Sequence, residues 1–118
     1  MMSGVGIKSD SFNVSAPGAD TNILTTSLTP TYGGWFQIFV VLGTSSIFNM
    51  TETRGATTFT IGLNNSVALD SGDGCSFTVP VLTTSSYNFQ VETNGIIRIL
   101  KVLEVNNAVG GNSQGFQA

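Results

Sequence analysis

The sequence predicts an all-β fold, an antiparallel β-sandwich of about seven to eight short strands arranged like a jelly roll. Three observations lead to this expectation. Apolar and polar residues alternate with a period of two in several short segments, turn-forming residues separate those segments, and no stretch has a convincing helical period. A closed barrel is the alternative that the same pattern allows.

Length and composition fit a single domain. The chain has 118 residues, and a single hydrophobic core usually supports roughly 100–200 residues. We therefore expect one domain over residues 1–118. Its N-terminal segment, at about 1–6, and its C-terminal tail, at about 106–118, are rich in small and polar residues and are expected to be flexible.

Three segments carry the clearest strand signal. Residues 34–42 are β-branched and aromatic and are apolar on both alternating faces, which predicts a central strand covered on both sides. Residues 57–63 alternate threonine with apolar side chains, which predicts a half-buried strand. Residues 75–81 alternate in the same way, and Pro80 places this strand near an edge because proline cannot donate a ladder hydrogen bond. Weaker strands are expected at residues 8–14, 22–28 and 47–52.

A hairpin is the strongest local prediction, over residues 87–102. Asn94 and Gly95 form a favoured pair for a two-residue type I′ turn, in which both central residues have positive φ. Such a turn would fix the register of the two flanking strands and would place Phe89 opposite Leu100 on the core side.

The other face of this predicted hairpin is mixed and suggests a contact with a neighbour. Ile99 and Lys101 both belong to it. Only 9% of the residues are charged, against about 25% in an average soluble protein. A surface this poor in charge repels its own copies weakly, so it suits close packing of many subunits. A sheet face covered by the chain's own loops is the competing interpretation.

Charge, cysteine content and hydropathy exclude several classes of protein. Four Lys and Arg residues against seven Asp and Glu residues, spread singly, form no basic stripe, so a nucleic-acid partner is not expected. One cysteine cannot close an intrachain disulfide. The N-terminal sequence lacks the apolar region of a secretory signal, and no run approaches the ~18–20 apolar residues of a membrane span. We therefore expect synthesis in the cytoplasm and no membrane partner.

The densest group of reactive side chains lies in ALDSGDGC, residues 68–75. Asp70 and Asp73 are followed by glycines, which is turn chemistry, and the stretch lacks the alternating ligands and the distant glutamate of a calcium loop. A surface turn is the expectation, with weak cation binding as the alternative. Cys75 has no histidine anywhere in the chain to activate it, so it is expected to be a small buried hydrophobe.

The absence of histidine also excludes serine triads and most zinc sites. A two-carboxylate glycosidase stays open at this point, because the separation of the carboxylates in space is unknown. Its candidate residues are Asp70, Asp73, Glu92 and Glu104. Glu52 and Arg54, two apart on one strand face, are expected to be a solvated pair. No enzyme is expected, and no catalytic, cofactor-binding or metal-binding residue is assigned.

Several short segments carry a resemblance to a known group of proteins. They are GWFQIFV at residues 34–40, LN at 63–64 followed by AL at 68–69, FTVPV at 77–81, YNFQ at 87–90 and ILKVLEV at 99–105. Over residues 20–105 the chain resembles small β-sandwich virion proteins of tailed phages and related viruses. The resemblance implies a non-enzymatic subunit located in the virion, a head-decoration or tail component without a cofactor. Its implied partners are copies of itself and other virion proteins, such as major capsid or tail proteins.

A ligand-binding or carbohydrate-binding module is the alternative function. Sugar rings stack on aromatic faces, and the residues that such a site would use are Trp35, Tyr32 and Tyr87. Trp35 and Tyr87 lie inside apolar strand patterns, where core packing is the favoured role. Tyr32 lies in the turn at residues 30–34 and is expected to be exposed.

Overall fold

Seven β-strands make up the regular structure in the computed structural model, which describes residues 7–12, 18–64 and 67–105. They are β1 (Ile7–Phe12), β2 (Trp35–Leu42), β3 (Phe48–Arg54), β4 (Thr57–Gly62), β5 (Gly74–Pro80), β6 (Ser86–Val91) and β7 (Ile97–Val105). No helix occurs in these ranges. Accordingly, none that could cross a membrane is found in them. The predicted flexible segments, at about 1–6 and 106–118, lie outside the described residues.

The strands form two antiparallel sheets. One sheet has four strands in the order β1-β7-β2-β5, and the other has three in the order β4-β3-β6. This confirms the prediction of an all-β, antiparallel fold. Because the named strands fall into two separate sheets, they do not form the closed barrel that was the alternative. Most predicted strands are present within one to two residues at each end, and β5 is an edge strand that ends at Pro80, as predicted.

The inner faces of the two sheets share one hydrophobic core. The four inner residues of β2, each at most 2% exposed, are Phe36, Ile38, Val40 and Leu42. The ring of Phe36 meets the ring of Tyr87 in the other sheet edge to face, with 5.6 Å between centroids. Phe48 and Phe89 stack within the three-stranded sheet, also at 5.6 Å. The contact between Phe36 and Tyr87 joins the two layers, and the Phe48–Phe89 stack packs within one of them.

The prediction that β2 is covered on both sides is wrong. β2 is central, since it pairs with β7 on one side and β5 on the other. Its alternate residues Gln37 and Phe39 are nevertheless exposed. The sequence is apolar on both faces, but the three-stranded sheet covers only one of them, so the second face points outward.

The predicted hairpin over residues 87–102 is also wrong. β6 and β7 lie in different sheets, so Phe89 and Leu100 are both buried but are not paired on neighbouring strands. Neither Asn94 nor Gly95 has the positive φ that a type I′ turn requires. Hydrogen bonds to the 43–47 loop hold this connection instead: the Ile96 N–H donates to Thr44 Oγ1 at 3.0 Å, and the Gly43 N–H donates to the Ile96 carbonyl at 2.7 Å.

The tight two-residue turn of the fold lies between β3 and β4. Arg54 pairs with Thr57, and the loop between them consists of Gly55 and Ala56. Gly55 has φ 62°. A glycine with positive φ at the first loop position is the pattern of a type II′ turn, whose twist matches that of the strands it joins.

Residues 19–28, which we call the strap, run along the free edge of β6. The weak strand predicted at 22–28 is not a regular strand, and the backbone of the strap meets β6 through isolated bridges and single hydrogen bonds in place of a continuous ladder. The side-chain amide of Asn88 replaces part of the missing ladder. Its Oδ1 accepts from the Leu24 N–H at 2.9 Å, and its Nδ2 donates to the Leu24 carbonyl at 3.0 Å and to Ser27 Oγ at 3.1 Å.

Candidate interaction surface

The outer face of the four-stranded sheet exposes apolar side chains that the described fold leaves uncovered. It contains every second residue of the strands whose side chains are described. These are Trp35, Gln37, Phe39 and Val41 of β2, Ile99, Lys101, Leu103 and Val105 of β7, and Gly74, Ser76, Thr78 and Pro80 of β5. Phe39 is 37% exposed and Ile99 is 38% exposed.

The register places these side chains in rows across the sheet. Phe39 pairs with Ser76 of β5 and with Lys101 of β7. The next row joins Gln37 to Leu103. Together with the backbone of Ile38, these five residues line an open pocket of ≈ 280 Å³. The pocket offers an aromatic ring and an aliphatic wall with an amide, a hydroxyl and an ammonium group at its rim.

The orientation of the Phe39 side chain depends on a glycine in the neighbouring strand. A Cβ built on Gly74 would lie 2.9 Å from the Phe39 ring, so the ring occupies the space over β5 that another residue's side chain would fill. An aromatic ring that covers a strand glycine shields backbone which would otherwise be open to water. This contact places the Phe39 ring over the backbone of β5.

The outer face is nearly free of charge. In its paired rows Lys101 is the single formal charge among the described side chains, and Arg98, exposed at the bulge of β7 beside Ile99, adds a second cation at one end. Charged residues are depleted from the centre of protein interfaces, while aromatic residues are enriched there. The face therefore has the composition of a contact surface.

The three aromatic residues expected for a sugar site are not brought together. Tyr87 is buried in the core, which confirms its predicted packing role. Tyr32 is 37% exposed, as predicted, and its backbone N–H donates to Glu104 Oε2 at 2.6 Å. Trp35 contradicts the core prediction, since it is half-buried at the outer-face end of β2. Phe39, the aromatic residue in the pocket, was not singled out by the sequence, because its strand is apolar on both faces.

Glu52 is more buried than the sequence indicates. It lies on the core side of β3, and its Oε2 accepts from Arg54 Nη2 at 2.9 Å and from the Tyr87 hydroxyl at 3.1 Å. The hydrogen bond from Arg54 is the main reason why the pKa of the Glu52 carboxyl lies below its usual value. Burial raises the pKa of the Tyr87 hydroxyl. The expectation of a solvated pair is wrong for Glu52, because its strand neighbour Tyr87 brings the carboxylate inward.

Tyr87 also links this carboxylate to the next loop. Its hydroxyl oxygen accepts from the Leu82 N–H at 2.9 Å while the hydroxyl donates to Glu52. Both bonds satisfy groups that burial would otherwise leave unpaired. The hydrogen bonds among Glu52, Tyr87 and Leu82 therefore hold the loop that follows β5. Glu52 and Tyr87 lie on the core side of the fold, away from the outer-face pocket.

The stretch at residues 70–74 is a surface turn, as predicted. Asp70 and Asp73 are exposed, and Gly72 has φ 87°. The Gly72 N–H donates to the Leu42 carbonyl at 2.7 Å, which fastens the turn to the end of β2. Cys75 is half-buried and packs against the core beside Phe77 and Val79, in broad agreement with its predicted role.

The remaining carboxylates lie at opposite ends of the fold. Glu104 pairs with Phe36 near the start of β2, whereas the turn that contains Asp70 is bonded through Gly72 to Leu42 at its end. Six residues of strand separate these positions by about 20 Å. Glu92 Oε2 accepts from Asn49 Nδ2 at 3.0 Å. Within the described part of the chain, no three His, Cys, Asp or Glu side chains are grouped as metal ligands would be.

Comparison with known proteins identifies no relative: the chain matches no protein-family model, no curated protein and no solved structure.

Proposed function

We propose that the protein is a non-enzymatic structural subunit that acts through repeated protein–protein contacts made by the outer face of its four-stranded sheet. The observation that carries this proposal is the exposure of Phe39 and Ile99 on a face whose described side chains include only two charges, Lys101 in its paired rows and Arg98 at the bulge of β7. Exposed apolar side chains that lie together on one face often mark a protein–protein contact site. Its occupants are copies of the chain or another protein of the same assembly.

The fold that presents this face is proposed to be a jelly-roll β-sandwich. When the strap is counted between β1 and β2, the chain has eight extended segments. The first pairs with the last, the second with the seventh, the third with the sixth and the fourth with the fifth. These pairs are β1 with β7, the strap with β6, β2 with β5 and β3 with β4. A long hairpin folded into two sheets makes this nested pairing, which is the jelly-roll arrangement of many capsid and lectin domains.

The assembly is proposed to be a virion, with the protein as a head-decoration or tail component. This step rests on the sequence resemblance of residues 20–105 to small phage virion proteins. The partners are then further copies of the chain and a major capsid or tail protein. The protein is made in the host cytoplasm and ends in the virion, with neither nucleic acid nor membrane as a partner.

Binding to particles that lack the protein tests this proposal. We expect the wild-type protein to sediment with such particles, and we expect Phe39→Lys combined with Ile99→Lys to lose binding because it places two charges on the apolar face. Thr84→Lys, which adds a charge on an exposed turn, is the control and should bind normally. The absence of wild-type binding, together with a monomeric mass by light scattering at every concentration, would refute the proposal.

A ligand-binding module is the second candidate, and the outer-face pocket favours it. Phe39 supplies a ring for stacking, while Gln37 and Lys101 supply hydrogen-bond donors at the rim. Titration with a panel of oligosaccharides, followed by calorimetry, tests this alternative. Saturable binding that Phe39→Ala abolishes, with no binding to particles, would favour the module over the subunit.

A further inference from the structure

The four edges of the two sheets differ in how they are protected against pairing with another chain. An edge strand exposes unpaired N–H and C=O groups, and proteins block such edges with charge, proline or a covering segment. The β1 edge includes Lys8 and Asp10 in its sequence. The β5 edge ends at Pro80. The β6 edge carries the strap.

In the part of the chain that the structure describes, β4 has none of these features. Its sequence, TTFTIG, contains no charge and no proline. All six of its residues pair with β3 in an unbroken register, and no described strand pairs with its other side. Its inner face is only partly covered, since Phe59 is 45% exposed while Ile61 packs against the core. β4 is therefore a straight, neutral and partly apolar edge of a kind that proteins rarely leave unpaired.

We propose that β4 pairs antiparallel with β4 of a second copy across a two-fold axis, so that the two three-stranded sheets join into one. The proposal goes beyond the outer face of the four-stranded sheet and does not depend on it. An antiparallel pair of identical strands is self-complementary, as a two-fold interface requires.

The register follows from the hydrogen bonds that β4 already makes. In a tight β-turn the Arg54 carbonyl accepts from the Thr57 N–H, so Thr57, Phe59 and Ile61 direct their backbone groups toward β3. Alternation leaves the groups of Thr58, Thr60 and Gly62 on the free edge. With Thr60 on the two-fold axis, Phe59 lies opposite Ile61 of the second copy. Aromatic and β-branched residues form favourable cross-strand pairs.

Charge supports a second copy as the occupant. The charged residue nearest the edge, Arg54, is paired with Glu52 and lies 5.6 Å above the ring of Phe59. Two copies therefore meet without an unpaired charge on either strand. Six residues span about 20 Å, which gives an interface at the small end of the known range. The expected dimer is therefore weak and depends on concentration.

Analytical ultracentrifugation tests the proposal on the full chain. The wild-type protein should show a monomer–dimer equilibrium. Thr60→Lys should raise the dimer dissociation constant at least about tenfold, because it places two ammonium groups side by side at the axis. Thr84→Lys carries the same charge on an exposed turn and should leave the equilibrium unchanged.

A cross-linking experiment keeps the test decisive if Thr60→Lys does not fold. In a Cys75→Ser background, Thr60→Cys should form an intermolecular disulfide under mild oxidation, because Cα atoms in a hydrogen-bonded pair lie ≈ 5.5 Å apart. Thr84→Cys should not. A wild-type monomer at all concentrations would overturn the proposal. A second result would also overturn it: a dimer that persists in Thr60→Lys, gives no Thr60→Cys cross-link and is lost in Phe39→Lys. That result would assign association to the outer face and would leave the proposed function standing.

Discussion

The two faces of β2 both contain large apolar residues but differ in their exposure to solvent. On the inner face, Phe36 and Ile38 are at most 2% exposed and pack against the three-stranded sheet. On the outer face, Phe39 is 37% exposed and covers Gly74 of the neighbouring strand. Apolar character alone therefore does not show whether a strand face is buried within the monomer. Folding accounts for the inner face, whereas the outer face is the surface for which we propose an interaction outside the monomer.

Two phenylalanines on this one strand make the comparison measurable. We expect Phe36→Ala to lower the free energy of unfolding by about 3–5 kcal/mol, because it opens a cavity in the core. Phe39→Ala should cost less than about 2 kcal/mol, since part of that ring is already in water. Chemical denaturation of both variants checks the difference. Equal losses would show that the outer face is part of the monomer's core.

The strap provides the next largest effect, because it closes the core beside β6. Asn88→Ala should destabilise the fold by roughly 2–4 kcal/mol, since it leaves the buried N–H and C=O of Leu24 without partners. Gln90→Ala is the matched control, because it removes one exposed hydrogen bond to Asn22 in the same strap. If thermal unfolding shows equal losses for the two variants, the amide of Asn88 does not hold the strap.

The inner face contains a carboxylate, which gives the core a pH dependence. The pKa of Glu52 is lowered in the folded state, chiefly by the hydrogen bond from Arg54. Its contribution to stability is therefore present above the unfolded pKa of about 4.3 and is lost as the pH falls through the lower, folded pKa. We expect Glu52→Gln to flatten the decline of Tm in this acid range. Parallel curves for the two proteins would contradict this assignment.

The smallest effect is expected at the exposed turn. Replacing Asp70 and Asp73 together by Asn keeps the turn propensity and removes two charges, so Tm and assembly should change little. Addition of EDTA tests the metal alternative directly. If EDTA lowers the Tm of the wild type but not that of the double variant, the turn contains a cation site.

The sequence predicts local strands well and their partners poorly. An apolar, β-branched and aromatic run identifies β2, the period-two pattern identifies β4 and β5, and Pro80 correctly marks an edge. Asn94 and Gly95 suggest a hairpin, but contacts with the 43–47 loop, which are distant in sequence, override that local preference. The glycine of the true tight turn, Gly55, is flanked by residues that give no comparable signal.

The candidate surface is also hard to predict, because it too depends on contacts between residues that are distant in sequence. Ile99 and Lys101 do lie on a mixed outer face, as the sequence suggests, but their neighbours on that face come from β2 and not from β6. Burial of Glu52 depends on its pairing with Tyr87 across β3 and β6. Such long-range pairings decide which side chains meet, and a single sequence contains no direct record of them.

Chemical labelling of the Lys101 amine tests the central claim most directly. Lys101 lies in the pocket and is exposed in the monomer. Mass spectrometry would compare its acetylation in the free protein and in protein bound to particles, using the variant Thr84→Lys as an internal reference on an exposed turn. If the outer face is the contact surface, Lys101 becomes protected on binding while the reference lysine stays reactive. Equal labelling of Lys101 in the free and bound protein would contradict the account.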